Sequence, residues 1–542
     1  MFFGTGFRCG WIAIALGLAA VFVSEAMAQS TFRDAATSPI KYTQGVARPN
    51  IVCRDLRERM TNYNVSIVSA TLIPAKNGIP EYCHVYGVIQ PEIRFEVNLP
   101  TVWNGRLFMH GNGGTAGQKP GHPFMIGPRN AGLRHGFATT WNDTGHDEFA
   151  HPLFSFGHNN LYRVMDFGFR AIHLTAVTAK EVIRAYYDLP AKYSYFDGCS
   201  LGGRQALVSA QRFPSDFNGI SVGAPVLNTG MVGLWNAKAL EEAPIAYEKI
   251  GIIAEAVYRN CDGQDGLVDG VIDDPRRCNF DPARDLPTCP GDVDGRSCFT
   301  IAQIGTLKKL YGGVVSNGKI VFPGVPVGAE AAGLQGVPPL YPPDQKVPGW
   351  DFWLVNRTGP SQLAQFTESA LKYVTFEKDD PNYNWRNFDF DRDYGRSGAT
   401  AEYSDARDPD LTAFRAKGGK LIMRHGWADM SLNPLVTIDY YDKVLATMGP
   451  QTSDFFRFFP VPGMFHCAGG TGVTSLDPMT PLINWVEGGV APDSLAGSRV
   501  EKGVVTLTRP VCPYPKVARH KGTGSTTEAA NFTCVDPDKA SR

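Results

Sequence analysis

Short apolar runs recur along the chain, and most of them end in a glycine-rich turn. Runs of this kind are typical of buried strands. Predicted strands cover residues 92–97, 105–110, 136–140, 193–196, 219–225, 420–424 and 455–461. Between them, residues 166–187 carry apolar side chains at spacings of four, three, four and three, namely Ile172, Ala176, Ala179, Ile183 and Tyr186. This spacing predicts one apolar helical face, which would pack on the sheet of an α/β protein.

The strand predicted at 193–196 leads into a Gly-x-Ser-x-Gly motif, Gly198-Cys199-Ser200-Leu201-Gly202. A serine on a sharp strand-to-helix turn has a strained backbone, and only glycine lets the strand and the helix pass so close to it. The following helix would point its N-terminal amides at the serine oxygen, where negative charge develops during acyl transfer. The motif predicts that Ser200 is a nucleophile, although an ordinary glycine-rich turn would explain the motif alone equally well.

Two later loops hold the residue types that such a serine needs. Asp429 follows the strand predicted at 420–424, and His466 follows the strand predicted at 455–461. An α/β-hydrolase carries its triad in the chain order Ser, then Asp or Glu, then His, with the acid and the base in loops after late strands. We therefore predict an α/β-hydrolase fold with Ser200, Asp429 and His466 as its catalytic triad.

Two cysteines flank the predicted nucleophile and base, since Cys199 precedes Ser200 and Cys467 follows His466. A disulfide between them would bring their Cα atoms to within about 4.4–6.8 Å, and Ser200 and His466 would then lie within reach of each other. The bridge would close a very long loop, and the chain-entropy description gives it a stabilisation of about 4–5 kcal/mol before strain. Two unrelated buried thiols are the alternative.

The stretch Gly198-Cys199-Ser200-x-Gly202-Gly203, the Asp429 loop and His466-Cys467 together resemble the tannase and feruloyl esterase family. The resemblance extends over nearly the whole chain after residue 28. It implies a Cys-Ser…Asp…His-Cys active site that cleaves esters of an aromatic acid. The acid would be ferulate or another hydroxycinnamate, gallate, or a terephthalate monoester, because the family's relatives include mono(hydroxyethyl) terephthalate hydrolases.

A second glycine-rich loop, residues 111–117, follows the strand predicted at 105–110. In hydrolases of this fold the loop after such a strand supplies the second oxyanion amide, because bare backbone can approach the substrate oxygen closely. We predict that the oxyanion is held by the amide of Leu201 and by that of Gly113 or Gly114. A loop without a catalytic role is the alternative.

The strand pattern stops after residue 226 and resumes near Gly419. We predict a hydrolase core over residues 29–226 and 406–542, of which the second part ends in a disulfide-clamped tail. Residues 227–405 are predicted to form a large lid domain inserted between two core strands. Four cysteines lie in this segment, and we expect local disulfides to stabilise it because its own apolar core is small.

Four side chains of the lid are candidates for contact with the substrate. Trp350, Phe352 and Trp353 are candidates for the wall of an aromatic acyl pocket, and packing of the lid core explains them equally well. Arg357 is a candidate for contact with a substituted ring, although an exposed arginine is more common.

The lid also contains an acidic, glycine-rich loop that starts at Asp262. Its carboxylates are spaced by three and four residues, and carbonyl oxygens could complete a Ca²⁺ shell. The predicted ligands are Asp262, Asp265 and Asp269 through their side chains and Leu267 and Val271 through their carbonyls. The spacing differs from that of an EF-hand and matches the calcium loop of the resembled family. We predict structural Ca²⁺ in the lid, with a solvated acidic turn as the alternative.

The first 28 residues have the features of an export signal. Arg8 is followed by an apolar run from Trp11 to Val23 and by the cleavage pattern Ala26-Met27-Ala28. No later run of about 18 apolar residues is present, so we expect a secreted or periplasmic protein without membrane contact after cleavage. The net charge of −1 and the sequence pI near 6.8 also argue against a nucleic-acid partner.

Ten cysteines remain after the predicted cleavage, and an even number in an exported protein predicts a disulfide framework. Short-range pairing and the family resemblance both suggest Cys53–Cys83, Cys261–Cys278, Cys289–Cys298 and Cys512–Cys534 around the long Cys199–Cys467 bridge.

Together these features predict a secreted serine carboxylic ester hydrolase that acts on small aromatic esters through an acyl-enzyme. Activity of the mono(hydroxyethyl) terephthalate hydrolase type is the alternative. A peptidase or lipase on the same fold and a non-catalytic binding module are weaker hypotheses. A lipase would be expected to have a strongly apolar lid, and catalytically dead relatives usually lose a triad member, whereas all three are present here.

Overall fold

A mixed sheet of nine strands forms the centre of the fold in the computed structural model, which describes residues 31–229, 231–336, 344–398 and 401–537. The predicted signal, residues 1–28, lies outside the described residues. In chain order the strands are β1 (Val65–Ile73), β2 (Tyr82–Ile89), β3 (Ile93–Pro100), β4 (Arg106–His110), β5 (Ala138–Asn142), β6 (Tyr193–Cys199), β7 (Gly219–Gly223), β8 (Lys420–Gly426) and β9 (Phe456–Val461).

The strand order in the sheet is β1-β2-β3-β5-β4-β6-β7-β8-β9. The first four strands in this order pair antiparallel, and β5 to β9 pair parallel through β4, β6, β7 and β8. The parallel strands are short and mostly buried on both faces, which explains their continuous apolar sequences. The predicted α/β-hydrolase fold class is confirmed.

Fifteen α-helices are present in the part of the chain that is described, some against the sheet and others in the segment between β7 and β8. They are α1 (Leu56–Met60), α2 (Pro123–Arg134), α3 (Leu161–Met165), α4 (Ala171–Tyr187), α5 (Leu201–Arg212), α6 (Val232–Glu242), α7 (Ile250–Cys261), α8 (Pro282–Asp285), α9 (Ile301–Gly312), α10 (Gln362–Tyr373), α11 (Phe390–Asp393), α12 (Ala401–Ser404), α13 (Thr412–Ala416), α14 (Pro434–Met448) and α15 (Met479–Gly488). The five apolar residues predicted to form one face between 166 and 187 are all buried on α4. A single π-helical turn, Asp166–Arg170, precedes this helix.

The long segment between β7 and β8 forms helices and short strands outside the central sheet. Its strands are Val314–Ser316, Lys319–Phe322, Ala332–Gln335 and Lys346–Pro348. The segment has an extensive apolar cluster of its own, with Ile253, Leu307 and Trp350 fully buried. The expectation of a small apolar core in the lid was therefore wrong. Lid helices such as α7 and α9 supply many of the buried side chains. The Pro and Gly content of the segment had suggested a smaller number of buried apolar side chains.

The chain after α15 forms two antiparallel pairs at the edge of the molecule. Leu495–Glu501 pairs with Val504–Val511, and Val517–His520 pairs with Phe532–Val535. Two short strands precede them in the chain: Gly469–Gly470 pairs with the lid strand Ala332–Gln335, and Ser475–Leu476 pairs with Leu495–Glu501.

Five disulfides link the described chain. They join Cys53 to Cys83, Cys199 to Cys467, Cys261 to Cys278, Cys289 to Cys298 and Cys512 to Cys534, the pairs that short-range spacing and the family resemblance suggest. All helices within the described residues are too short or too polar to span a bilayer.

Candidate active site

Ser200 lies at the junction between β6 and α5, where the chain reverses sharply. Its backbone has φ 64° and ψ −122°, outside the regions that residues with a side chain normally adopt. The Ser200 amide donates to the carbonyl of Gly223 at 3.0 Å, and this bond to β7 holds the strained turn in place. Strain of this kind persists only where the surrounding structure fixes it, and it is common at functional sites.

The glycines around Ser200 are required by close backbone contacts. A Cβ atom on Gly198 would lie 2.4 Å from the carbonyl oxygen of Gly202, and one on Gly203 would lie 2.2 Å from that of Gly223. Both distances are far below van der Waals contact. The first glycine of the Gly-x-Ser-x-Gly motif and Gly203, which directly follows the motif, therefore have the steric cause that the sequence suggested.

His466 and Asp429 form a buried pair on the loops after β9 and β8. His466 Nδ1 lies 2.8 Å from Asp429 Oδ2, and Asp429 is completely buried. Asp429 Oδ1 accepts from the amides of Ser431 and Leu432, both at 2.9 Å. Burial alone would raise the pKa of Asp429, but the neighbouring His466 and His425 outweigh it and hold the pKa well below its usual range. Asp429 thus stays ionised beside the imidazole.

The Cys199–Cys467 disulfide links the serine turn to the histidine loop. Its Cα atoms are 5.9 Å apart, and Cys467 has a positive φ of 65°. Ser200 and His466 are the residues next to the two cysteines, and both line the same cavity.

The loop after β4 is bonded to the first turn of α5. The Gly202 amide donates to the carbonyl of Asn112 at 2.8 Å, and the side chains of Asn112 and Gln205 bond at 3.0 Å. Gln205 Oε1 also accepts from the Asn112 amide at 2.9 Å. These bonds bring the predicted oxyanion residues, Leu201, Gly113 and Gly114, to the wall of the cavity that Ser200 lines.

The cavity has a volume of about 1390 Å³, and several of its lining side chains are aromatic. Its aromatic lining includes Phe154, Phe167, Phe352, Trp353 and Phe366. The Trp353 ring meets the His466 ring edge-on, with centroids 5.3 Å apart and planes at 77°.

The lid candidates named from the sequence have different positions. Phe352 and Trp353 line the cavity, whereas Trp350 is completely buried in the lid core. Arg357 lies over the Tyr247 ring at 4.4 Å and donates to its hydroxyl at 2.9 Å.

The lid core contacts both loops that carry the acid and the base. Ala428 and Met430, on either side of Asp429, belong to the apolar cluster of the lid, and so does Phe465, which precedes His466. Packing of the lid therefore helps to fix the positions of Asp429 and His466.

The acidic loop follows α7 and contacts the C-terminal hairpin, which is formed by Leu495–Glu501 and Val504–Val511. The Asp262 carboxylate accepts from the amides of Asp269, Gly270 and Val271 at 3.1–3.3 Å. Asp269 Oδ2 binds Arg509 Nη2 at 2.8 Å. Over the described ranges, no three His, Cys, Asp or Glu side chains form a ready metal-binding group. Leu267 packs against the apolar cluster of the tail.

Two residues of these sites were not singled out from the sequence. His425 contacts Asp429 from the end of β8, and Asp273 lies in the acidic loop with Oδ1 buried and without a hydrogen-bond partner. The position of His425, four residues before Asp429, was the only sequence signal for the first. Asp273 continues the run of acidic residues after Asp269.

Comparison with known proteins shows which protein family this chain is related to. The family model described as "Tannase and feruloyl esterase" matches residues 78–535. Mono(2-hydroxyethyl) terephthalate hydrolase of Piscinibacter sakaiensis is 32% identical to this chain, with 85% of each protein covered. Feruloyl esterase B of Aspergillus niger is 31% identical, with 81% of this chain and 83% of its own length covered.

A solved structure supports the same relationship. Feruloyl esterase B from Aspergillus oryzae has a TM-score of 0.76 and 26% sequence identity to this chain, with 89% of this chain and 99% of the relative covered. The match extends over the core and the inserted segment, as does that of the family model. The chain therefore belongs to the tannase and feruloyl esterase family of carboxylic ester hydrolases.

Proposed function

We propose that the protein hydrolyses esters of aromatic acids through an acyl-enzyme on Ser200. Ser200 Oγ attacks the ester carbonyl while His466 takes its proton, and Asp429 orients the imidazole and stabilises its cation. The amides of Leu201 and of Gly113 or Gly114 bind the developing oxyanion. His466 then protonates the leaving alcohol, and a water molecule repeats the sequence on the acyl group.

Aromatic side chains in the cavity lining, with Trp353 against His466, are the observation that carries the choice of acyl group. Phe352, Trp353 and Phe366 line the same cavity as Ser200, and Trp353 touches the ring of His466. Aromatic rings prefer edge-on or offset contacts with other rings, and such a wall favours a flat aromatic acyl group over a flexible alkyl chain. Feruloyl and galloyl esters are the first candidates.

Arg204 supports terephthalate monoesters as a second candidate. Arg204 belongs to the cavity lining, and its guanidinium stacks on Phe167 at 4.4 Å and donates to the Phe167 carbonyl at 2.9 Å. The Nε atom is buried without a hydrogen-bond partner, and burial lowers the pKa of Arg204 to about 9. A distal carboxylate on the substrate ring would complete the bonding of this cation.

We also propose that the acidic loop binds Ca²⁺ through Asp262, Asp265, Asp269 and the carbonyls of Leu267 and Val271. The donor set consists of hard oxygens, as Ca²⁺ prefers. Burial and the neighbouring carboxylates raise the pKa of Asp265 and of Asp273, a sign of repulsion that a divalent cation would offset. The ion would have a structural role.

We also propose that the protein is exported and is either secreted or periplasmic. Five disulfides tie the described chain together, and such bridges persist in oxidising compartments.

The direct test compares the wild-type protein with Ser200→Ala on methyl ferulate. The wild type should release ferulate, and the variant should be slower by about 10³-fold or more with an unchanged melting temperature. A variant that hydrolyses at the wild-type rate would exclude Ser200 as the nucleophile. Binding of the ester by a wild type that hydrolyses no ester would favour the binding-module hypothesis.

A further inference from the structure

Asp429 contacts a second histidine besides His466. His425, the penultimate residue of β8, lies with Nε2 3.2 Å from Asp429 Oδ2. This is the same oxygen that His466 Nδ1 contacts at 2.8 Å. The His425 ring is only 1% exposed, so this contact is shielded from water.

Three partners hold the His425 ring. Nε2 also lies 3.0 Å from the carbonyl oxygen of Leu432, and Nδ1 lies 2.8 Å from Thr437 Oγ1 on α14. A carbonyl can only accept a hydrogen bond, so Nε2 carries a proton that it donates to Leu432, and this N–H group also lies beside the Asp429 carboxylate. The tautomer and the orientation of the ring are thereby fixed.

The Asp429 carboxylate has three hydrogen bonds and one further polar contact. Oδ1 accepts from the amides of Ser431 and Leu432, Oδ2 accepts from Nδ1 of His466, and Nε2 of His425 lies 3.2 Å from the same Oδ2. An ionised carboxylate has about four acceptor sites, so these four groups enclose both of its oxygens. In a fully buried position the group cannot rotate without leaving a charged oxygen unpaired, which is costly.

We propose that His425 is a positioning residue that keeps Asp429 Oδ2 aligned with Nδ1 of His466. The inference rests on the proposed function, in which Asp429 orients the imidazole through that bond. Without the His425 donor the carboxylate can turn toward its amide partners, and the imidazole is then held less often in the orientation that accepts the Ser200 proton.

The role should affect turnover rather than substrate binding. His425 is absent from the described lining of the cavity, whereas Ser200, His466 and Trp353 belong to it. A residue that acts only on proton transfer lowers kcat and leaves KM nearly unchanged.

The test compares His425→Leu with His425→Gln on the best ester substrate of the wild type. Leucine removes the donor, and we expect kcat to fall about 10–100-fold with KM within about twofold of wild type. Glutamine can place an amide donor where Nε2 lies, so it should restore most of the lost kcat. Thr437→Val, which frees the other side of the ring, should lower kcat a few-fold in the same manner.

Full kcat in His425→Leu would overturn the inference. Equal losses in the leucine and glutamine variants would also overturn it, because they would make His425 a packing residue. If the leucine variant does not fold, the Thr437→Val variant decides. An unchanged kcat in Thr437→Val would overturn the inference. A lowered kcat in Thr437→Val together with a kcat near that of the wild type in His425→Gln would support it. A wild type without ester hydrolase activity would overturn the proposed function, and this inference with it.

Discussion

At the scale of single residues, the site depends on the backbone conformation of Ser200 and on the charge of Asp429, and neighbouring residues fix both. Ser200 keeps an unfavourable backbone conformation because its amide is bonded to β7 and because Gly198 and Gly203 leave room for the chain around it. Asp429 stays ionised in a dry position because two amides and two imidazoles surround it.

The Cys199–Cys467 bridge gives a prediction at this scale. Replacing both cysteines with alanine should lower kcat by about tenfold or more, because the bridge holds Ser200 and His466 on neighbouring loops. The matched control is the double alanine variant of Cys53 and Cys83, a bridge outside the lid that links the chain before α1 to β2, which should keep its kcat. Steady-state kinetics on folded protein measures both. Equal kcat in the first variant and the wild type would exclude a positioning role for the bridge.

The candidate triad could be predicted from the sequence because each of its residues follows a recognisable strand and the three occur in the chain order of an α/β-hydrolase. The glycines around Ser200 follow from backbone contacts, and Asp429 and His466 each follow a strong apolar strand. The roles of His425 and Arg204 could not be predicted, because burial and orientation decide them and the four-residue spacing of His425 from Asp429 is too weak a signal by itself.

At the scale of elements, the inserted lid contributes to the site through packing. Its core includes Ala428, Met430 and Phe465, which belong to the loops of Asp429 and His466, and its aromatic residues line the cavity. A change that loosens the lid core should therefore lower activity as well as stability.

Glu330 gives a pH-dependent prediction for the lid. The side chain is completely buried and accepts from the Tyr311 hydroxyl and the Gly328 amide, and burial raises its pKa from 4.5 to about 7. The folded protein binds this proton more tightly than the unfolded chain does. The stabilisation is therefore full below the unfolded pKa and is lost as the pH rises through about 7.

Glu330→Gln should accordingly make the melting temperature less dependent on pH. We expect the fall in melting temperature between about pH 5.5 and about pH 8 to be smaller in the variant by about 2–4 °C. The exposed Glu242→Gln serves as the control and should follow the wild type. Parallel profiles for wild type and Glu330→Gln would contradict the buried titration.

Elements were predicted unevenly from the sequence. The parallel strands β4 to β9 have continuous apolar runs and were found, whereas β1 and β2 were not. In β1 the alternation is broken by an irregularity between Ile67 and Ser69, and only two of its nine residues, Val65 and Ile67, are buried. An edge strand of this kind has too little buried surface to produce a clear pattern.

At the scale of the whole molecule, the acidic loop connects the lid to the C-terminal hairpin. Asp269 binds Arg509, and Arg509 stacks on Phe532 at 4.2 Å near the clamped tail. The two parts are far apart in sequence, so only the fold reveals that they meet. Calcium bound in this loop would stabilise both parts together.

Removal of calcium should therefore lower the melting temperature of the whole protein. We expect a chelator to reduce it by about 5 °C or more, and Ca²⁺ in excess to restore it, because an ion that binds only the folded chain stabilises it by mass action. Asp265→Asn should reduce the response, and the exposed Asp292→Asn should not. A melting curve that is unaffected by the chelator would contradict the calcium site.

We propose above all that this esterase selects aromatic acyl groups through the aromatic side chains of its cavity. The decisive experiment compares the kcat/KM of the purified protein on methyl ferulate, methyl gallate, mono(2-hydroxyethyl) terephthalate and methyl butanoate. We expect the value for at least one aromatic acid ester to exceed the butanoate value by about tenfold or more. Hydrolysis of the butanoate alone would leave the nucleophile in place and contradict the aromatic pocket.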